Sequence, residues 1–213
     1  MHIELTEMLR CPEPHELGVL VLSTGEMVGR MVRSGIVGCP ACKKEYPITN
    51  GIVDFRGRGT GEGGQVNQSA DEPRSTLLPS RVPLPQVSQT LQALLDLSGP
   101  GGFVVLLGSA ARYAVGLAAL MGGIHFVGVD PPADVEESLV LSLLRAPGMI
   151  PLRPAMARGV VAGADRAGAQ WLDEAARVLL RGRRFVVERE DIESPAGINR
   201  LAVGQGLWAG EKT

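Results

Sequence analysis

The stretch GFVVLLGSAARYAVGLAALMGGIHFVGVDP, residues 102–131, decides the fold. Its first apolar run, 103–107, ends at Gly108 and a turn. A helix-like segment rich in Ala and Leu follows over 110–121 and stops at Gly122-Gly123. A second apolar run, 124–129, ends on Asp130. Strand, turn, helix, strand and acid make one right-handed βαβ unit of about 30 residues. Both strands are apolar throughout, as expected of strands covered on both faces. In such a unit a nucleotide-like ligand lies over the first turn, and the acid ending the second strand bonds its ribose hydroxyls. Asp130 is placed for that role; the competing reading is a strand-end acid capping the turn before Pro131-Pro132. Ser109, in the first turn, reads either as a hydroxyl facing a ligand or as turn chemistry.

Outward from this unit, strands and helices alternate. Val87, Leu91, Leu94 and Leu95 recur at helical spacing and predict a helix over 87–97. Acidic residues at 134, 136 and 137 open a predicted helix over 134–144, where they suit the helix dipole. Short strands are expected over 149–152 and 159–162, a helix over 167–180 and a strand over 183–188. A last strand over 201–209 is expected to be antiparallel. Alternation of this kind predicts an α/β fold with a Rossmann-like open, doubly wound sheet.

Before it lies a small module, residues 1–55. A short helix is expected over 3–9, followed by Cys11-Pro12-Glu13-Pro14-His15. Two β-prone runs, 19–22 and 27–32, are joined by Ser23-Thr24-Gly25, a hairpin signal. Cys39-Pro40-Ala41-Cys42 follows. Two knuckles flanking a hairpin are the layout of a zinc ribbon, an α+β module that needs a metal staple because its core is small. The competing reading packs the cysteines as small apolar residues. Residues 56–83, rich in Gly, Ser, Pro and charge, read as a flexible linker to a domain over 84–213.

Composition bounds the function. The 213 residues carry a net charge of −2 and a pI near 6.0, so bulk charge gives no nucleic-acid signal. No apolar run is long enough to span a bilayer, and the first residues have no basic-then-apolar signal pattern. Three cysteines, two of them in a CxxC, suit a reducing compartment. A cytoplasmic protein is expected. No Ser/His/Asp, paired-carboxylate or HExxH arrangement is present.

LTEMLRCP (5–12) and GCPACKKEYPITNGIV (38–53) resemble the zinc-ribbon-like family that includes the activator subunit of tRNA and release-factor methyltransferases. That family carries a CPxC knuckle, then a CxxC followed by aromatic-Pro-Ile and Asn/Asp-Gly-Ile. Here Pro14 stands at the first knuckle's second cysteine. The resemblance implies a Cys3His zinc site of Cys11, His15, Cys39 and Cys42.

VVLLGSAARYAVGLA (104–118), FVGVDP (126–131) and WLDEAARVLLRGRRFVVERE (171–190) resemble class I S-adenosylmethionine-dependent methyltransferases. The resemblance implies cofactor contacts at Gly108, Ser109 and Asp130. The sequence also departs from that pattern. Leu106 holds the place of the usual acid, and Ala110 and Arg112 replace two glycines of the Gly-x-Gly-x-Gly turn. Arg112 is expected to fill the cofactor crevice. Arg158-Gly159 stands at the fourth-strand motif, and the tail is expected to be too short for the usual helix and antiparallel hairpin. These departures imply a truncated methyltransferase fold serving as a non-catalytic binding or scaffold subunit of a larger assembly. Arg177, Arg181, Arg183 and Arg184 would offer a basic patch to an acidic protein partner or to the headgroups of a membrane complex. The alternative is an active methyltransferase acting on a small molecule.

Overall fold

A computed structural model describes residues 1–16, 18–56, 84–146 and 148–213. The expected linker, 56–83, lies outside the described residues except for Arg56. The strands, in chain order, are β1 (Val21–Thr24), β2 (Met27–Val28), β3 (Met31–Val32), β4 (Gly35–Gly38), β5 (Glu45–Thr49), β6 (Ile52–Asp54), β7 (Phe103–Leu107), β8 (His125–Val129), β9 (Leu141–Arg145), β10 (Ala157–Ala162), β11 (Leu179–Val187), β12 (Ile198–Gly204) and β13 (Leu207–Lys212). The helices are α1 (Leu84–Leu95), α2 (Ala114–Leu120) and α3 (Ala169–Val178).

Eleven strands form one sheet in the order β1-β4-β5-β6-β9-β8-β7-β10-β11-β13-β12. Its middle, from β6 to β11, is parallel. Both wings are antiparallel. The βαβ unit forms, with every residue of β7 buried and β8 paired to it in parallel, but the expected helix over 110–121 is an α-helix only over Ala114–Leu120, preceded by a 3-10 turn. The pleat divides the core in two. Phe103, Val105 and Leu107 face one cluster, with α3 and the N-terminal 3-10 turn Ile3–Met8. Val104 and Leu106 face the other, with α1 and α2. Burial on both faces is what made these strands read as unbroken apolar runs.

The N-terminal module shares this sheet. Ile52, Val53 and Asp54 of β6 pair in parallel with Leu143, Leu144 and Arg145 of β9. Val37, Tyr46, Ile48 and Phe55 join the same buried cluster as β7 and α3. A second tie runs through the start of the chain. Leu9 bridges Leu152, the Arg10 N–H donates to Pro151 O at 3.0 Å, and the Arg153 N–H donates to Met8 O at 2.8 Å.

Several expectations fail, each for a tertiary reason. No helix forms over 134–144. Leu141, Leu143 and Leu144 are buried in β9, between β8 and β6, so neighbouring strands outweigh the local acidic signal. The 149–152 segment is a loop with a single bridge at Leu152. The expected hairpin of 19–22 with 27–32 does not form: β1 pairs with β4, and β2 pairs only with β3. The tail does fold an antiparallel hairpin, β12 with β13, which extends the sheet beside β11.

Candidate functional site

Among the described residues, two clusters of chemistry-bearing side chains stand out. The first lies at the end of the N-terminal module. The Ile3–Met8 turn delivers Cys11, and the bend after it delivers His15. The turn between β4 and β5 carries Cys39 and Cys42. In that turn the Cys39 N–H donates to Lys44 O at 2.8 Å and the Lys43 N–H to Cys39 O at 2.9 Å. Lys43 takes a left-handed φ of 61°.

The potential ligand atoms of Cys11, His15, Cys39 and Cys42 all lie within 4.8 Å of one another. Cys11 Sγ is 3.6 Å from Cys42 Sγ, and Cys39 Sγ is 3.3 Å from His15 Nε2. A tetrahedron with Zn–S near 2.3 Å and Zn–N near 2.0 Å has edges of about 3.5–3.8 Å. His15 Nδ1 lies 2.7 Å from Glu16 O, so an Nδ1–H bond there leaves the Nε2 lone pair toward the sulfurs. The chemistry of the set therefore fits a closed, four-ligand structural zinc site.

Burial acts on these thiols with unequal results. It pushes Cys11 up to about 11, although the Tyr46 hydroxyl lies 3.0 Å from its Sγ. It also raises Cys39, but the backbone N–H groups of Cys42 and Ala41 and the two neighbouring thiols outweigh it, leaving Cys39 at about 7. Of these two, Cys39 is nearer to the thiolate form that metal binding requires.

The second cluster lies where the parallel sheet reverses its winding, at the carboxyl ends of β7 and β10. This is where open α/β sheets bind ligands. Gly108 turns the chain with a φ of 57° into a 3-10 turn, Gly108–Tyr113. The space above it holds Asp165 and Arg166, from the segment following β10. A Cβ on Gly108 would meet the Asp165 carboxylate and, at 2.6 Å, Arg166 Cγ. Ser109 gives both its donors to one oxygen of Asp165: its N–H at 2.9 Å and its hydroxyl at 2.6 Å from Oδ1. Tyr113 donates its hydroxyl to Glu188, at the end of β11, at 2.5 Å. Burial raises the Glu188 carboxyl, with Tyr113 opposing and Asp165 adding to the rise.

Arg112 does not enter this crevice. Its guanidinium forms a two-pronged pair with exposed Asp134, at 2.9 and 2.8 Å. Asp130 ends β8 with a left-handed φ of 47°, and its Oδ1 accepts the Ala146 N–H at 2.9 Å. One carboxylate oxygen is thus committed to tying β8 to the end of β9. Burial raises the Asp130 carboxyl, with the Ala146 N–H and the charges of Arg166, Arg56 and Arg145 opposing.

Two of the four arginines of the basic patch are spent internally. Arg177 bonds Glu174, Ile150 O and Leu152 O, and Arg184 pairs with Asp96 and Glu211. Sequence reading missed Asp165 and Glu188. It sought an acid at Arg158-Gly159, but β10 continues to Ala162, so the acid beyond the strand end is Asp165. The available signal was the break at Gly163 after the apolar run 160–162.

No protein-family model and no curated protein matches this chain. Solved structures similar to it include a chain of the complex between the Haloferax volcanii Trm112 methyltransferase activator and a candidate methyltransferase, at 24% identity and a TM-score of 0.38, covering 47% of this chain and 50% of that one. An antibiotic-biosynthesis methyltransferase candidate from Anabaena variabilis matches at 19% identity and a TM-score of 0.43, covering 51% and 46%. The antibiotic-resistance methyltransferase Kmr matches at 14% identity and a TM-score of 0.41, covering 59% and 92%. This chain spans half or less of the length of the first two. Among the described residues, no helix is long and apolar enough to cross a membrane.

Proposed function

We propose that this chain is a methyltransferase-like protein that has lost cofactor binding and works as a binding subunit of a larger assembly. One observation carries the reading: Asp165 and Arg166 occupy the space over Gly108, and Asp165 takes both donors of Ser109. An adenosyl ligand needs that space and those donors. The second support is Asp130, one of whose oxygens is used to hold Ala146.

Cys11, His15, Cys39 and Cys42 hold a structural zinc ion in this reading, with no open position for substrate. Zinc supplies a cross-link there and no reaction step. Residues 1–55 then act as a zinc-ribbon-like module and 84–213 as the methyltransferase-like domain, joined through β6 and β9 in one sheet. For a partner surface the supporting feature is the outer face of the β1–β4 pair. Val21 and Ile36 share that face and are 60% and 40% exposed. The protein partner, rather than a small molecule, is what this subunit binds.

Calorimetric titration with S-adenosylmethionine and with its demethylated product tests the reading. The expected result is no heat and no thermal shift at millimolar ligand. Micromolar binding would refute it and favour the catalytic alternative.

A further inference from the structure

Tyr46 lies four residues beyond Cys42, in β5. Glu45 pairs with Gly38 and Tyr46 with Val37, so Tyr46 sits on the second rung below the Cys39–Cys42 turn. Side chains alternate along β5, which turns Tyr46 and Ile48 into the core; Tyr46 is 1% exposed. Its ring packs on Phe55, with centroids 4.8 Å apart. Phe55 in turn donates its N–H to Arg145 O, at the end of β9, at 2.7 Å. The ring is thus fixed between the knuckle turn and the seam where β6 joins the parallel sheet. Its hydroxyl reaches across to the other knuckle. Tyr46 Oη lies 3.0 Å from Cys11 Sγ, and no other hydrogen bond reaches that oxygen among the described residues. A buried phenol needs a partner. A neutral thiol accepts weakly, whereas a metal-bound thiolate has no proton to give and accepts strongly, which makes the hydroxyl the donor.

We infer that Tyr46 is a positioning residue of the zinc site: its hydroxyl donates to the Cys11 thiolate, holds that sulfur toward the metal and slows release of the ion. The inference rests on the zinc reading above and adds a donor outside the four ligands. Three thiolates around a divalent ion leave a net negative centre. An O–H donated to one of them spreads that charge and fixes the sulfur's direction, as partners of metal ligands do. The same bond ties the β4–β5 hairpin to the Cys11 segment, a link between the two knuckles that does not pass through the metal.

The test uses the full chain loaded with zinc or, for its visible spectrum, with cobalt(II). Tyr46→Phe keeps the ring and removes the donor. It is expected to bind zinc about ten- to hundredfold more weakly in chelator competition. Its sulfur-to-cobalt charge-transfer band is expected to move to longer wavelength, because an unbonded thiolate gives up electron density more readily. Phe55→Leu loosens the packing of the same ring but keeps the hydroxyl, so its melting temperature is expected to fall while the band stays. Replacing both tyrosines with ring-fluorinated tyrosine makes the donor more acidic and is expected to move the band to shorter wavelength; Tyr113, the other tyrosine, is spent on Glu188. That substitution keeps the test decisive where Tyr46→Phe does not fold. An unchanged band and affinity in folded Tyr46→Phe, an unmoved band in the fluorinated chain, or an equal shift in Phe55→Leu overturns the donor role and leaves the zinc reading standing. A parent chain that takes up neither zinc nor cobalt overturns both.

Discussion

With zinc in the Cys3His cluster, as proposed above, chelation is expected to destabilise the whole chain. A bound ion would cross-link the Cys11–His15 segment to the Cys39–Cys42 turn, closing a loop of roughly 30 residues. By the loop-entropy relation for cross-links, such a tie constrains the unfolded chain by about 3.5 kcal/mol. For a chain of this size, each kcal/mol moves the melting temperature by about 2–4 °C. Chelation is therefore expected to lower it by about 7–14 °C, and added zinc to restore it. The loss reaches beyond the module because Cys11 directly follows the segment whose Met8, Leu9 and Arg10 bind Pro151, Leu152 and Arg153. Hydrogen exchange should accelerate at 149–153 as well as at 39–46. The assay is differential scanning calorimetry on protein whose zinc content has been measured, with Cys39→Ser as the ligand-deficient control. Protein holding one zinc per chain whose transition stays put on chelation would refute the reasoning. Protein purified without zinc would refute the site.

Two further outcomes concern stability. Arg177 satisfies two loop carbonyls and both oxygens of Glu174, which in turn accepts the Ile150 N–H at 2.9 Å. Removing one partner of such a mostly buried pair costs about 3–5 kcal/mol, so Arg177→Ala is expected to shift the urea midpoint down accordingly, with Glu174→Gln milder. His125 is held to about 4, first by burial and next by the neighbouring His2 charge, while its Nε2 lies 2.8 Å from Ser142 Oγ. Its folded value lies below the unfolded one near 6.5, so between those limits the unfolded chain binds the proton more readily. Stability present at neutral pH is then lost as pH falls from about 6.5 to 4, by up to about 3 kcal/mol. His125→Gln should flatten that slope in pH-dependent denaturant melts.

The sequence by itself determined the elements whose signal is local and uninterrupted. Residues 103–107 and 125–129 alternate between two buried faces, so their apolar runs had no other use than central strands. The helix expected over 167–180 forms over 169–178, and of its expected stripe Leu172, Ala175 and Val178 are buried on it, while Leu179 begins the next strand. The resemblance to the zinc-ribbon-like family implied Cys11, His15, Cys39 and Cys42 as one set, and the fold brings those four side chains together. Tertiary structure alone decided the rest. Whether 141–145 coils or extends depended on β6 arriving from about 90 residues earlier to pair with it. Arg112 was drawn to Asp134, and Asp165 to Ser109, across separations with no local signature. A side chain's intended cavity can be read from a motif, but which charge reaches it first is settled by the turns that bring partners together in space.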